Sequence, residues 1–509
     1  MLLVYVFCGT MLVSMFIYFK KIFRKTRNHE LIVFSRYPIP GTTKTRLTPA
    51  VGEDCAAYCQ LRMTDHILNN IEDYCRKDDD ISVNVYYNGC TDSQMKYWLG
   101  RRKNYVTWQQ QANGCLGNKL SSAFKDSFKR NSKYTIIIGS DIPGINSNLI
   151  SEAYHKLQNG SDMVLGPAAD GGYYLVGISK SANVKLDDMF SDINWGSETV
   201  FREQSERAKD LGISLGILDT CLNDVDVAQD LEVLEKELQV TKEQLANPRI
   251  SIIIPVYNEA DNILSTLETV LKKCSRTQAI EEIIVSDGGS TDDTISVVEK
   301  FAKTKDVEIK VIKSSPGRGF QQRYGAEQAK GDIFMFLHAD TEAPDKFDHA
   351  IVKCLQKPGN VGGCFKLGFD VVEAPEREQK CSQIFKMKMH VLQWTTNNIR
   401  VKYLERPYGD QILFMTKQNY YKAGGFKEVY LMEDYMMVED LHIFGHIGVA
   451  DADPVITSSR RWKKMGLIRT TGMTNLIVLA YKLGVPSNKL AEWYYGDKLK
   501  EIQKRAKQT

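Results

Sequence analysis

The chain has 509 residues, 43% of them hydrophobic and 25% charged. That is too long for one ordinary core, and the composition is that of a folded multi-domain protein rather than a disordered one. A net charge of +3 is too small to call for a nucleic-acid partner, and eleven scattered cysteines without a Cys-x-x-Cys pair do not make a disulfide framework or a zinc module. Scattered thiols fit a reducing compartment, and Cys55 and Cys59, four apart on an expected helix, read as packing residues.

Residues 2–19 are apolar and uncharged, just long enough to span a bilayer. Lys20, Lys21, Arg24, Lys25 and Arg27 follow at once. A secretory signal has the opposite order, with its positive charge first. The positive-inside rule therefore predicts a single-pass transmembrane anchor with everything from Lys20 onward in the cytosol.

A first α/β block is expected over residues 29–232. Strands are read at 31–34, 81–87, 134–138 and 162–165, with helices at 54–74 and 147–158; this β-α-β order implies a parallel sheet. Residues 233–248 read as a helical linker closed by Asn247-Pro248. The second block, 249–509, alternates strand (250–256), helix (260–273), strand (282–285), helix (292–304), strand (307–313), helix (320–330) and strand (333–337). Both blocks are thus expected to be Rossmann-like α/β domains with mostly parallel sheets. In such sheets ligands bind at the carboxyl ends of the strands.

The second block places polar motifs at those ends: Ile252-Ile-Ile-Pro-Val-Tyr-Asn-Glu259, Val285-Ser-Asp-Gly-Gly-Ser-Thr-Asp292 and Phe336-Leu-His-Ala-Asp340, with Leu431-Met-Glu-Asp434 further on. Converging carboxylates suit sugar transfer from a nucleoside diphosphate. They can hold a hard divalent cation, Mg²⁺ or Mn²⁺, against the leaving diphosphate, and one can serve as general base. Other patterns are weaker. Pro316-Gly-Arg-Gly319 lacks the third glycine of a dinucleotide loop. His442 and His446, four apart, read as exposed structural histidines on a helix, and Glu439-Asp440 as surface charge.

With Tyr408-Gly-Asp-Gln411, Gly424-Gly-Phe426 and Ser459-Arg-Arg-Trp462 added, residues 250–496 resemble glycosyltransferase family 2. More narrowly they resemble the branch named for arsenosugar biosynthesis or for association with radical-SAM and selenium-linked genes. The resemblance implies a GT-A fold, a nucleotide-sugar donor, an unidentified acceptor and an inverting displacement. It assigns Glu259 and Asp287 to the nucleotide, Asp340 to the metal, Asp434 to the catalytic base, and Asp410, Arg461 and Trp462 to substrate. His338 stands where the family's Asp-x-Asp motif has its first carboxylate. Ser458 departs from the motif of polymer-forming members.

In the first block Lys44 and Arg46 supply phosphate-pairing charge after a Pro/Gly-shaped loop, and Asp141 follows a buried strand. Phe34-Ser-Arg-Tyr-Pro-Ile-Pro-Gly41, Lys44-Thr-Arg-Leu47, Gly139-Ser-Asp-Ile-Pro-Gly144, Gly166-Pro-Ala-Ala-Asp-Gly-Gly-Tyr-Tyr174 and Asp224-Val-Asp226 resemble the companion GT-A-like transferases of the same gene neighbourhoods. These are distantly similar to molybdenum-cofactor nucleotidyltransferases. The likeness implies Asp141 and Asp226 as ligands of a divalent cation, Lys44 and Arg46 as substrate contacts, and an acidic loop at Asp170-Gly-Gly172.

Overall fold

The computed structural model describes residues 27–77, 80–102, 105–370, 379–459 and 466–506. The expected anchor at 2–19 lies outside the described residues, among which no helix is long and apolar enough to cross a membrane. The chain divides into two compact units. One comprises the residues up to Lys96 with Arg102–Lys242, and the other comprises Tyr97–Arg101 with Glu243 onward.

In the first unit the strands are β1 (His29–Arg36), β2 (Ile81–Asn88), β3 (Val106–Gln110), β4 (Tyr134–Gly139), β5 (Met163–Pro167), β6 (Tyr173–Ser179) and β7 (Leu215–Ile217). Among the described residues they form one sheet in the order β3-β2-β1-β4-β6-β5-β7. β3, β2, β1 and β4 are parallel, while β6 runs antiparallel between β4 and β5. Leu31, Ile32 and Val33 of β1 are fully buried, the signature of a strand covered on both faces. The helix Ser147–Gln158 starts where the Asn146 side chain accepts from the amides of Asn148 (3.0 Å) and Leu149 (3.2 Å), satisfying two donors that open every helix. Cys55 and Cys59 are buried on the helix Glu53–Lys77, as packing residues.

The second unit contains β8 (Ile250–Val256), β9 (Ile280–Asp287), β10 (Glu308–Lys313), β11 (Ile333–Phe336), β12 (Thr341–Glu342), β13 (Asn360–Cys364), β14 (Leu367–Phe369), β15 (Leu413–Thr416), β16 (His446–Val449) and β17 (Val455–Thr457). Its main sheet has the order β10-β9-β8-β11-β15-β13-β16, and β12, β17 and β14 form a small second sheet. β10, β9, β8 and β11 are parallel and β15 is antiparallel between β11 and β13. Renumbered from its own first strand, this is the strand order of the first unit. All seven residues of β8 are buried, and each fully buried Ile or Val contributes about 1.5–3 kcal/mol.

Three local readings change. β3 and β6 lie outside the expected strands, and β6 and β15 are the antiparallel members of the mostly parallel sheets. β6 runs antiparallel because the hairpin turn Asp170-Gly-Gly172 precedes it directly. That turn is also tied down: the Gly172 amide donates to Asp170 Oδ1 (2.8 Å), and Gly171, at φ +85°, is pressed against the backbone of Glu198. The linker region forms two helices, Leu231–Leu238 and Lys242–Ala246, with Gln239 in the left-handed region at φ 53°. His442 and His446 are neither exposed nor on one helix. His442 caps Glu433–Leu441, His446 opens β16, and both imidazoles face Glu405, at 3.5 Å and 2.7 Å.

Glu282 in β9 is fully buried. Its carboxylate accepts from Lys310 Nζ (2.6 Å), the Ser251 hydroxyl (2.9 Å) and the Lys330 amide (2.6 Å). Removing one partner of a buried pair leaves the others without compensation, at about 3–5 kcal/mol. Glu282→Ala is expected to lower the unfolding free energy of the second unit by that order in urea titration, and a urea midpoint within experimental error of wild type would contradict this.

Candidate functional site

The second unit's site starts from strand ends. β8 and β9 run in register to Val256 and Asp287, and the loops that follow are cross-tied. The Asn258 amide donates to Ser290 Oγ (2.9 Å) and the Thr291 amide to Asn258 Oδ1 (2.8 Å). Asp287 is buried and its carboxylate accepts from the amides of Gly289 (3.1 Å) and Ser290 (3.0 Å), so it shapes its own loop. Glu259 precedes the helix Ala260–Lys273 and accepts from Asn262 Nδ2 (2.6 Å). Gln321, on the helix Arg318–Glu327, donates to the carbonyls of Val256 (2.7 Å) and Ser286 (2.8 Å), binding that helix to both strand ends.

Beyond β11 a cavity of about 440 Å³ opens, lined among others by Arg318, His338, Asp340, Asp410, Glu433 and Asp434. The structure therefore brings Asp340, Asp410 and Asp434 together, and does not place Glu259 or Asp287 on that wall. Arg461 and Trp462 lie outside the described residues. Asp340 hangs from a short turn after β11 that is anchored when Thr266 Oγ1 donates to the Ala339 carbonyl (2.6 Å). Asp434 stands in the first turn of the helix Glu433–Leu441, where the helix dipole favours negative charge. Its Oδ2 accepts from the Gly409 amide (2.8 Å) and its Oδ1 from the Tyr435 amide (2.7 Å). A Cβ at Gly409 would lie 2.9 Å from His338 Nε2, so a larger residue there would press on the imidazole. Gln411 completes this corner, donating to the Phe365 carbonyl (3.0 Å) and accepting from Arg400 (2.8 Å), whose guanidinium stacks on Tyr408 at 3.7 Å.

Charge is balanced locally. Burial opposes the positive charge of Arg318, yet Glu433, Tyr495, Asp434 and Asp340 hold its pKa above the ordinary value. Burial, then the Arg318 charge, pushes His338 well below 6.5, leaving a neutral imidazole. Burial and then Asp434 push the Glu433 carboxyl up to about 7, against the pull of Arg318. Arg318, Gln321, His338 and Glu433 were not assigned roles from the sequence. The signal for Arg318 was Pro316-Gly-Arg-Gly319 at a helix start. Gly319 lets the helix approach the Lys427 carbonyl, from which a Cβ would be 2.4 Å away.

In the first unit a smaller cavity, about 260 Å³, is lined by Arg36, Thr42–Arg46, Gln60, Asp141 and Asp226. All four side chains singled out there meet. Lys44, at φ 50°, puts its ammonium 2.6 Å from Asp226 Oδ1 and 3.2 Å from Asp141 Oδ2, and Arg46 lies 3.6 Å from Asp226 Oδ2. The two carboxylates expected to share a divalent cation thus share a lysine, which fills the space between them, and the arrangement does not fit a metal there. Asp224 adjoins them, its carboxyl raised to about 6 by burial and then by Asp226, Asp170 and Asp141.

Residues 251–422 match the family model "Glycosyl transferase family 2". Residues 71–197 match "Uncharacterized protein conserved in bacteria (DUF2064)". The undecaprenyl-phosphate 4-deoxy-4-formamido-L-arabinose transferase of Proteus mirabilis (strain HI4320) is 27% identical over 136 residues, 26% of this chain and 39% of that protein. Glycosyltransferase AglE of Haloferax volcanii is 36% identical over 94 residues, 18% of this chain and 31% of that protein. The chain thus spans less than half the length of these relatives. Among solved structures, a Desulfovibrio desulfuricans G20 protein described as a nucleotide-diphospho-sugar transferase is 29% identical, covering 43% of this chain and 90% of its own, with a TM-score of 0.38. The family match and the relatives' names support a glycosyltransferase.

The raised Glu433 carboxyl makes a pH prediction. The folded protein keeps a proton up to about pH 7 that the unfolded chain releases near 4.5. The stability this group contributes is therefore complete below about 4.5 and is lost as pH rises toward 7. Glu433→Gln is expected to flatten the melting temperature against pH across that window. An unchanged slope would mean that burial and Asp434 do not raise the Glu433 carboxyl.

Proposed function

We propose that the second unit moves a sugar from a nucleotide-sugar donor to an acceptor hydroxyl by an inverting displacement. The observation that carries this reading is the convergence of Asp340, Asp434, Glu433 and Arg318 on one cavity beyond the parallel strand ends. Glu259 and Asp287, on the cross-tied loops, receive the nucleotide. Asp410, with Arg461 and Trp462 assigned by family likeness, faces the substrate. Asp434 takes the proton of the acceptor hydroxyl as its oxygen bonds to the anomeric carbon, and the bond from that carbon to the diphosphate breaks with its electron pair. Two backbone amides fix the orientation of Asp434, and a positioned base contributes roughly 100- to 10,000-fold.

A divalent cation at Asp340 is supported by the chemistry of the donors there: a carboxylate and an imidazole, His338, that burial keeps neutral line the same cavity. Such a cation supplies Lewis-acid neutralisation of the departing diphosphate. Arg318, close to Asp340 and Asp434, adds fixed positive charge on the same side.

The first unit, with Lys44, Arg46 and Arg36 around a small cavity, is proposed to bind a phosphate-bearing ligand. A nucleotidyltransferase that makes the activated sugar is the second reading, supported by the cluster of Asp141, Asp224 and Asp226. The anchor at residues 2–19 with both units in the cytosol, and the narrower branch carrying His338-Ala-Asp340, complete the proposal.

Asp340→Ala is expected to cut donor turnover by roughly 100- to 1000-fold, the usual loss when transition-state charge goes unstabilised. Asp434→Asn is expected to spare donor binding and cut turnover on the scale of a lost base. Near-normal turnover of Asp340→Ala, or wild-type activity in excess chelator, would remove the metal role. A mild Asp434→Asn beside a crippled Glu433→Gln would move the base to Glu433.

A further inference from the structure

Two helices of the second unit wall the cavity with one face and leave another apolar face in water. The helix Gln379–Thr395 gives Leu392 to the wall. Its opposite side carries Met387, Val391 and Trp394, spaced four and three residues apart and therefore aligned, each about 60% exposed. The helix Leu467–Lys482 gives Thr470, Thr474 and Ile477 to the wall. Leu476, Leu479 and the following Leu483 again share one side, and 54%, 55% and 77% of their surfaces are exposed. A helix apolar on both sides needs an apolar neighbour on both.

Charge says what kind of neighbour. Residues 386–404 and 466–490 contain no Asp or Glu. Lys388, Lys402, Arg469 and Lys482 are exposed along them. Apolar side chains edged by cations, with Trp394 and Tyr403 among them, match the boundary of an anionic bilayer, where aromatic rings and basic side chains settle at headgroup level. Neither helix is long and apolar enough to span the membrane, so the fit is to a helix lying on it.

We propose that these two faces seat the second unit on an anionic lipid surface, so that the cavity they wall receives an acceptor carried by a lipid. The docking surface stands by itself; the acceptor class rests on the transferase reading above.

The first 26 residues contain no tryptophan, so tryptophan emission reports on the rest of the chain. The full chain is mixed with phosphatidylglycerol vesicles whose acyl chains carry bromine, a quencher that acts within the bilayer. Wild-type emission is expected to fall, and Trp394→Phe to lose at least roughly a third of that fall, because an interfacial ring reaches the acyl boundary. Leu479→Asp, on the other helix, is expected to reduce quenching while Trp394 is present. Equal quenching in wild type and Trp394→Phe, or equal quenching on uncharged phosphatidylcholine vesicles, overturns the docking surface. Hydrolysis of nucleotide-sugar donor without vesicles reads the transferase proposal separately. Quenching without donor hydrolysis removes the lipid-borne acceptor and keeps the surface, whereas donor hydrolysis without quenching removes the surface.

Discussion

Holding carboxylates out of water beside one another is costly, and the second unit is arranged around meeting that cost. Glu433 and Asp434 are neighbours at the start of one helix, and Asp340 faces the same cavity. Asp434 is compensated by two backbone amides. Arg318 supplies the counter-charge, and Glu433 answers the remaining cost by holding its proton to about pH 7. Each compensation imposes a structural demand. Gly409 leaves room for the His338 ring beside the amide that reaches Asp434, and Gly319 must be a glycine so that the helix bearing Arg318 seats closely. Gln321 then fastens that helix to the ends of β8 and β9.

The same sheet order serves two sites of different character. In both units the site lies near the end of the central parallel strands, where β4 is followed by Asp141 and β11 by Asp340. The first unit neutralises its carboxylate pair with its own lysine. The second keeps a neutral imidazole beside Asp340. One site carries a cationic side chain between its carboxylates, and the other sets a neutral imidazole on the same wall as its carboxylates. A shared strand order therefore does not imply a shared chemistry.

Much of this was legible in the chain. β8 and the helix Ala260–Lys273 fall at their expected residues because a buried parallel strand is a continuous β-branched run and the following helix has a clean 3.6-residue pattern. Asp340, Asp410 and Asp434 were assigned through the resemblance to glycosyltransferase family 2, and all three line one cavity. The antiparallel strands β6 and β15 were not legible, since a buried strand has the same composition in either direction and pairing partners are set by tertiary contacts. Arg318 was missed for a related reason: an arginine in a glycine-rich turn gains meaning only from the carboxylates that face it, and those come from residues 340, 433 and 434. His442 and His446 were misread because four-residue spacing suggested one helix, whereas the helix ends at Leu441 and Glu405 draws both imidazoles inward.

The central claim is that the cavity around Asp340 and Asp434 is where the donor diphosphate meets its cation. Anomalous scattering from manganese in crystals soaked with Mn²⁺ and a nucleoside diphosphate tests it directly. The account predicts a manganese peak beside Asp340 and His338, with the diphosphate toward Arg318, and no peak between Asp141 and Asp226, where Lys44 already sits. Manganese held by Asp141 and Asp226 instead, with the cavity of the second unit empty, would contradict it.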